Sequence, residues 1–402
     1  MILTRRVLWA VGIATAFSLL GDATLYTVLP THTETAGIAL GAVGVMLSAN
    51  RWVRLGMNGV AGRLCDQRPR RQLFIPALFL GVLSTALVAL TQGYWPLLVA
   101  RLLWGTAWSG IWVVGNAIVL DVSEGCNRGR NVGFYNVAFF TGAGAGSFIS
   151  GALTDALGYH GALGIAAALA LVGAIIALLF LPETQPLPSS RPQGVTPFVP
   201  FRSPRFHHPL TWPLVMILTL LAVNRLVMAG IFFPTFGLYL RQMLGESVRL
   251  LGREVGVTTL TGFGLGLSTF LGMWFGLGIG HWSDRGKNRW LIAAAGLIPG
   301  ILGFLILAFG PVWMTALALP LNSMTSGSNQ GMATVLLGHE VKEQERGRWL
   351  GVLFTVGDLA SAIGPLLAFA LLDTLPVTTV YLLPLLLLTG MAVMIMGHAR
   401  RI

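Results

Sequence analysis

The sequence predicts an all-α membrane protein whose twelve transmembrane helices form two pseudo-symmetric halves of six. Of its 402 residues, 54% are hydrophobic and only 10% are charged, whereas about 25% of residues in soluble domains are charged. Twelve apolar segments are long enough to span a bilayer, which takes about 20 residues. The second half repeats the first at a constant offset. This composition excludes a disordered chain, a secreted disulfide-rich domain and an ordinary soluble enzyme.

The predicted spans are separated by polar, proline-containing or basic segments. They cover residues 7–29, 38–61, 73–91, 96–119, 131–154, 162–181, 211–232, 256–279, 290–309, 311–337, 349–371 and 378–397. The segment 182–210 is rich in proline and serine without helical periodicity, which predicts a cytoplasmic linker. The expected domains are therefore a six-helix bundle over 1–181, this linker, and a second bundle over 211–402.

The 26 lysines and arginines predict the orientation. With both termini in the cytoplasm, only Arg241, Arg249 and Arg253 fall in outer segments, four arginines fall inside spans, and the rest are cytoplasmic. This asymmetry follows the positive-inside rule. The net charge of +11 is then explained by topology, so nucleic acid is not an expected partner. The predicted location is a bacterial-type inner membrane, in contact with membrane lipid.

No cofactor or metal is expected. Cys65 and Cys126 lie at span ends on the predicted cytoplasmic side, so a disulfide framework is not indicated. The seven histidines lie in loops or near span ends and form no metal-ligand pattern. A phosphate-binding loop is also absent, so neither an enzyme nor an ATP-driven pump is expected.

The internal repeat has an offset of 218 residues. Because each half has an even number of spans, this is a parallel repeat about an axis along the membrane normal. The offset superposes Gly62 on Gly280, Asp66 on Asp284, Arg71 on Arg289, Gly146 on Gly364 and Asp155 on Asp373.

The loop after the second span resembles the signature of the major facilitator superfamily. It reads GRLCDQRPRR over 62–71, and the family signature is Gly-x-Leu-x-Asp-Arg-x-Gly-Arg-Arg, from which Gln67 and Pro69 depart. The second copy, over 280–289, keeps the Asp-Arg pair and the terminal basic residue. The resemblance extends along the whole chain.

Two further segments resemble functional motifs of this family. In the fourth span, RLLWG over 101–105 resembles the Arg-x-x-x-Gly motif linked to proton coupling. In the fifth span, GAGAGSFISG over 142–151 resembles the antiporter motif Gly-x-x-x-Gly-Pro-x-x-Gly-Gly. Ser147 replaces the proline of that motif, and Ser150 replaces a glycine.

The resemblance implies two six-helix bundles around a central cavity that opens alternately to the two sides of the membrane, in a monomer. It also implies that the paired loops gate this motion, because their aspartates can bind basic residues or helix N-termini across the gap when the cytoplasmic side is closed. The expected gate residues are Gly62, Asp66, Arg70, Arg71, Gly280, Asp284 and Arg285.

Six ionisable residues lie inside predicted spans, where a charge costs about 2.5–3.5 kcal/mol at a helix centre. Asp22 and Arg101 lie at similar depths, so we expect a pair in which Asp22 binds protons. The alternative is a permanent ion pair that only orients two helices. Arg54 and Asp358 are expected to pair across the two halves as a latch, or alternatively as a static structural contact.

The other two buried arginines, Arg51 and Arg225, have no obvious acidic partner. They leave the cavity net positive, which favours a substrate with an anionic group, unless amides and backbone carbonyls satisfy both. Trp104 and Trp108 share a helical face with Arg101, and the tenth span has a polar face that could line the cavity or join helices. The expected cavity residues are Arg51, Arg225, Trp104, Trp108, Asn322, Ser326 and Asn329.

These observations favour a secondary transporter that exports a small organic compound in exchange for protons. One alternative is an uptake or exchange carrier for an organic anion, as the buried arginines suggest. Another is a lysolipid carrier with a laterally open cavity. A membrane receptor that transports nothing is less expected, because the gating loops and buried charges are both present.

Overall fold

The computed structural model describes residues 2–124, 127–184, 210–250, 252–285, 288–342 and 345–400. The predicted position of Cys126 and most of the predicted linker 182–210 lie outside these residues. The described chain is almost entirely helical. This confirms the predicted fold class.

The first half contains six membrane-crossing segments in five long helices. Their bounds are α1 Ile2–Val28, α3 Leu40–Gln67, α4 Arg70–Leu90, α5 Tyr94–Asp121 and α6 Arg128–Phe180, with a short α2 at Thr33–Ala36. Two predicted spans lie within α6, which is interrupted at Gly158 by a φ of 75°. Glycine tolerates this left-handed conformation because it has no Cβ, so the chain turns there without a loop.

The second half has the same order of long helices. Their bounds are α7 Trp212–Arg225, α8 Phe233–Leu244, α9 Val257–Arg285, α10 Arg289–Phe309, α11 Thr315–Glu340, α12 Arg346–Leu372, α13 Val377–Val380 and α14 Leu382–Ala399. A π-helical segment, Leu226–Phe232, joins α7 to α8, so one helical crossing continues to Leu244, beyond the predicted end at residue 232. A β-hairpin that the sequence did not predict follows it, with β1 Ser247–Leu250 antiparallel to β2 Arg253–Gly256.

Nine described helical segments are apolar and long enough to cross a membrane. One of them, Arg128–Phe180, holds two predicted spans. The polar side chains of α3 and α11 lower their hydropathy, although both helices have transmembrane length. Counting these two helices and both spans of α6 gives the predicted twelve.

The two ends of the helical bundle differ in how the halves meet. We call the end that carries the β-hairpin the hairpin end, and the end that carries the Gln67–Arg70 turn and the last residue of α14 the terminal end. At the hairpin end, one hydrophobic cluster contains Val43, Met46 and Leu47 of the first half together with Ile231 and Phe369 of the second. The halves are therefore sealed together there by a shared apolar core.

Candidate functional site

Two residues at the hairpin end, Asp155 and Arg241, make polar contacts between the halves. Asp155 Oδ2 accepts hydrogen bonds from the backbone N–H of Thr259 at 2.7 Å and from its hydroxyl at 2.6 Å. Thr259 lies in the first turn of α9, where backbone N–H groups have no helical partner. Arg241 donates to the carbonyl of Thr31 across the same interface. These contacts hold the hairpin end closed.

Glycines let helices of opposite halves approach closely near this end. A Cβ atom at Gly266 would lie 2.6 Å from the carbonyl oxygen of Gly144, and one at Gly44 would lie 2.7 Å from that of Pro365. Both distances are too short for any other residue. The glycines of the antiporter-like motif are divided between two neighbours: Gly142 and Gly146 lie against α1, whereas Gly144 and Gly151 lie against α9.

The terminal end is open between the halves. Within the described residues, the buried apolar clusters near this end each belong to one half only, and a Cβ atom added at Gly56, Gly59 or Gly62 of α3 would meet nothing within 4 Å. The same is true of Gly133 in α6 and of Gly351 in α12. The structure therefore shows a conformation that is closed at the hairpin end and open at the terminal end.

Asp22 and Arg101 form a buried ion pair in the first half. Arg101 Nη1 lies 2.7 Å from Asp22 Oδ1, and the two side chains are 2% and 19% exposed for Arg101 and Asp22. Arg101 Nε donates to the carbonyl of Met46 at 3.0 Å, and Nη2 is buried without a hydrogen-bond partner in the described part of the chain. Arg101 is thus anchored to α3 independently of Asp22.

Tyr26 connects this pair to Arg51, a relationship that the sequence analysis missed. The Tyr26 ring centroid lies 6.0 Å from the Arg101 guanidinium carbon and 5.2 Å from that of Arg51. Its hydroxyl donates to the carbonyl of Leu47 at 3.0 Å. The available signal was its position four residues after Asp22, which places both side chains on one face of α1.

Arg51 bridges the two halves through backbone carbonyls. It donates to the carbonyl of Ala229 at 3.2 and 3.3 Å, and also to the carbonyl of Ser361. Ala229 lies in the π-helical segment, a rare helix type that often marks functional sites. Satisfaction by carbonyls, one of the two alternatives from the sequence, is therefore what the structure shows for Arg51 in this conformation.

Arg54 and Asp358 also meet across the halves. Arg54 Nη2 lies 3.3 Å from Asp358 Oδ2, and the side chains are 19% and 26% exposed. Arg225 lies beside this pair, within the electrostatic influence of Asp358, Arg51 and Arg54. Its guanidinium has neither a hydrogen-bond acceptor nor an ion-pair partner among the described residues.

Other predicted cavity residues face neighbouring helices. Trp104 and Trp108 are 2% and 5% exposed and belong to the hydrophobic core of the first half. They stack on each other with ring centroids 5.9 Å apart. The face that they share with Arg101 therefore packs inside the bundle in this conformation and does not form a cavity wall.

The polar residues of α11 are also engaged in helix packing. Asn329 Nδ2 donates to the carbonyl of Gly296 in α10 at 3.1 Å, and the buried Asn322 lies against Gly303 of the same helix. Ser326 is half-buried, and its carbonyl accepts a hydrogen bond from Asn224 Nδ2 at 3.1 Å. In this conformation the two asparagines join α11 to α10, which was the alternative for this face.

The predicted gate residues of the first loop bond within their own half. Arg70 Nε lies 3.0 Å from Asp121 Oδ2, and Arg71 Nη2 donates to the carbonyl of Leu178 at 2.7 Å. Both carboxylate oxygens of Glu183 accept the first backbone N–H groups of α4. Gly62 and the exposed Asp66 lie on the last turns of α3.

The second gate loop is described only in part. Gly280, Asp284 and Arg285 lie in the last turns of α9, and the side chains of Asp284 and Arg285 lie outside the described part of the structure.

The comparison with known proteins agrees with this architecture. The family model "Major Facilitator Superfamily" matches residues 11–365 and 251–400. The class C tetracycline resistance protein of Escherichia coli is 24% identical over 339 residues, covering 82% of this chain and 79% of that protein. A probable 4-methylmuconolactone transporter of Cupriavidus pinatubonensis is 32% identical over 114 residues, covering 28% of this chain and 27% of that one.

Solved structures share the fold at low sequence identity. A bacterial homologue of the lysosomal transporter Spinster, in an inward-facing and occupied conformation, has a TM-score of 0.76 at 13% identity, covering 98% of this chain and 95% of that one. The nucleoside transporter NupG has a TM-score of 0.77 at 14% identity, covering 97% and 99%. With the family model matching almost the whole chain, this protein belongs to the major facilitator superfamily of transporters, and its twelve transmembrane helices form the two bundles of that fold.

Proposed function

We propose that this transporter exports a small organic compound in exchange for protons. The observation that carries the proposal is the buried Asp22–Arg101 pair. A charged pair inside a membrane protein is costly to bury and usually serves transport or coupling. The similarity to a tetracycline resistance protein supports export of an organic compound.

Asp22 is the group that can bind the proton. Protonation removes one of the two charges and so breaks the ion pair, whereas Arg101 stays hydrogen bonded to Met46 of α3. The Arg101 charge, no longer neutralised, then interacts with the Tyr26 ring, which also contacts the Arg51 guanidinium. Because Arg51 bonds to carbonyls of the second half, this chain of contacts links the proton site to the interface between the halves.

The orientation supports an inward-open state. The basic residues of the terminal end, including Arg68, Arg70 and Arg71, favour a cytoplasmic location under the positive-inside rule. The open terminal end would then face the cytoplasm, where an exporter takes up its substrate. The closed hairpin end would open after the halves rock about the central residues.

Accumulation assays test this proposal. Cells expressing the protein should retain less of at least one compound from a panel that includes tetracycline, and an uncoupler should abolish the difference. Asp22→Asn should also abolish it, because the side chain can no longer exchange a proton. Glu254→Gln is the matched control, since Glu254 lies on the exposed hairpin. Reduced retention that is insensitive to both the uncoupler and Asp22→Asn would rule out proton coupling.

An organic-anion carrier is the second candidate function. It is favoured by the arginines that surround Asp358, which give the centre of the protein an excess of positive charge. Uptake and exchange of such an anion would use the same alternation between the two ends. Transport of a labelled anion in both directions across proteoliposomes would separate exchange from one-way export.

A further inference from the structure

The centre of the interface holds more positive charge than its own carboxylate can neutralise. Arg54 of α3 forms an ion pair with Asp358 of α12, and Arg225 of α7 lies close enough to interact electrostatically with Asp358, Arg51 and Arg54. Among its described residues, this cluster therefore contains three guanidinium groups and one carboxylate. Such an excess inside a membrane protein is expected to attract an anion.

We propose that Arg225 and Arg54 bind the carboxylate of an organic anion, beside Asp358. This site deepens the proposed function, on which it rests, by naming the charge of the substrate. Guanidinium groups suit a carboxylate because their planar N–H donors match its two oxygens.

Arg225 and Arg54 have unused donors. The Arg225 guanidinium donates no hydrogen bond to any described residue, and its side chain is half-buried. Arg54 uses Nη2 for Asp358, whereas its Nε is buried without an acceptor in the described structure. Buried donors without acceptors are uncommon in folded proteins and call for a partner.

Arg51 has a different role from the other two arginines. Its donors are engaged by the carbonyls of Ala229 and Ser361, and Tyr26 lies against its guanidinium carbon. It therefore contributes a fixed positive charge to the site and not a free donor. This charge would attract the anion, and the hydrogen bonds of Arg51 between the halves would stay in place.

The neighbouring backbone holds Arg225 in place. Asn224, the preceding residue, donates to the carbonyl of Ser326 at 3.1 Å, and the π-helical segment begins immediately after Arg225. The aliphatic part of Arg225 lies against Gly357, next to Asp358. Both arginines of the site are thus carried by helices and not by loops, as a selective site requires.

An anion can reach this site from the terminal end. Toward the terminal end, the buried apolar clusters of the described residues belong to one half each, so no shared core closes the path from that end to Arg54. On the other side of the cluster, the close approach of Gly44 to Pro365 and the shared apolar core close the path. The site therefore lies at the bottom of an opening that leads to one side only.

Benzoate and its neutral isostere benzamide provide a direct test. We expect sodium benzoate to raise the melting temperature of the purified protein, and benzamide at the same concentration to leave it unchanged. Arg225→Gln should weaken benzoate binding by about ten-fold or more, the order expected for loss of a charged hydrogen bond. Arg249→Gln should leave binding unchanged, because Arg249 is 83% exposed on the hairpin.

Asp358→Asn keeps the test decisive if Arg225→Gln does not fold. Removal of the competing carboxylate should strengthen benzoate binding by several-fold. Equal stabilisation by sodium chloride and sodium benzoate would overturn the proposal in favour of an inorganic anion site. Equal benzoate binding by the wild type, Arg225→Gln and Asp358→Asn, or no benzoate binding by any of them, would also overturn it.

This binding test is independent of proton coupling. It uses detergent-purified protein without a proton gradient, so benzoate binding is measured separately from export. If Asp22→Asn loses uncoupler-sensitive export but still binds benzoate, the anion site is supported and Asp22 acts only in coupling. Intact export without benzoate binding would reject the anion site and retain the proposed function.

Discussion

Asp155, at the end of one half, caps a helix of the other half by accepting two hydrogen bonds from Thr259. The internal repeat gives this contact a counterpart, since the 218-residue offset relates Asp155 to Asp373 and Gly41 to Thr259. A Cβ atom at Gly41 would lie 3.0 Å from Asp373 Oδ2, so the second carboxylate lies at the first turn of α3. Each half therefore places an aspartate at the N-terminus of a helix in the opposite half, where the helix dipole favours negative charge.

Asp155→Ala should destabilise the closed hairpin end. Loss of an N-terminal cap costs about 1 kcal/mol, so the ratio of closed to open molecules should fall by roughly five-fold. Distances between spin labels at Thr35 and Arg253, which lie in opposite halves at this end, would report the change.

Thr259→Val should have a smaller effect, because it removes only the hydroxyl donor and keeps the backbone hydrogen bond. Glu254→Ala is a matched control for loss of a carboxylate at the same end. An unchanged distance distribution in Asp155→Ala would show that the cap does not hold the halves together.

The Arg54–Asp358 contact should show energetic coupling in a double-mutant cycle. Both side chains are largely buried, so we expect a coupling energy of about 1 kcal/mol, at the upper end for ion pairs with partial solvent access. Apparent free energies of unfolding of the two single alanine variants and the double variant would measure it.

The Arg249–Glu254 pair provides the comparison for this cycle. Its atoms are 3.8 Å apart and its side chains are 83% and 69% exposed, so its coupling energy should be close to zero. Similar coupling energies for the two pairs would argue against a latch between the halves.

Trp104→Ala should reduce stability far more than Trp104→Phe. The Trp104 ring lies in the core of the first half against Gly81 and stacks on Trp108. Truncation of a buried tryptophan costs about 3–5 kcal/mol, and the phenylalanine variant should retain much of this packing. Thermal unfolding would measure the loss.

The substrate affinity of Trp104→Phe shows whether Trp104 only packs in the core or also lines the substrate cavity. If the ring packs only in the core, Trp104→Phe should bind its substrate with unchanged affinity. A clear loss of affinity in a stably folded Trp104→Phe would instead place the ring at the substrate in another conformation.

The sequence predicted helices and charge pairs better than the contacts that depend on backbone geometry. Asp22 and Arg101 could be matched because their depths follow from the span boundaries, and the structure brings them to 2.7 Å. The π-helical segment Leu226–Phe232 could not be predicted, because its bonding pattern has no distinct periodicity in an apolar run. The hydrogen bonds from Arg51 to the Ala229 carbonyl depend on that segment, so they could not be predicted either.

The packing of Trp104 in the core could not be predicted from its spacing along α5, for a related reason. Its spacing from Arg101 correctly predicts that the two side chains share a face of α5. That face is wide enough to contact both the interior of the first bundle and the interface between the halves. Which neighbour each side chain meets depends on the rotation of α5 within its bundle. Tertiary packing sets that rotation, and the sequence of α5 alone does not specify it.

Acidification should destabilise the protein through His32, which lies just beyond α1 at the hairpin end. Burial lowers the pKa of His32 from its usual 6.5, and the Arg241 charge lowers it further, against the opposing effects of the Val28 carbonyl, Asp155 and Glu246. The folded state therefore binds a proton on His32 less readily than the unfolded chain does. Stability from this group is present above about pH 6.5 and is lost as the pH falls below that value.

His32→Gln should reduce the fall in melting temperature between pH 7.5 and pH 5.5, because glutamine does not titrate. The neutral His32 ring donates from Nδ1 to the Val28 carbonyl at 3.1 Å and stacks on Tyr159, so a second proton adds a charge in a half-buried position near Arg241. An identical pH profile in His32→Gln and the wild type would assign the acid sensitivity to other groups. A flatter profile, with spin-label distances at the hairpin end that no longer widen in acid, would show that His32 titration loosens the closed end.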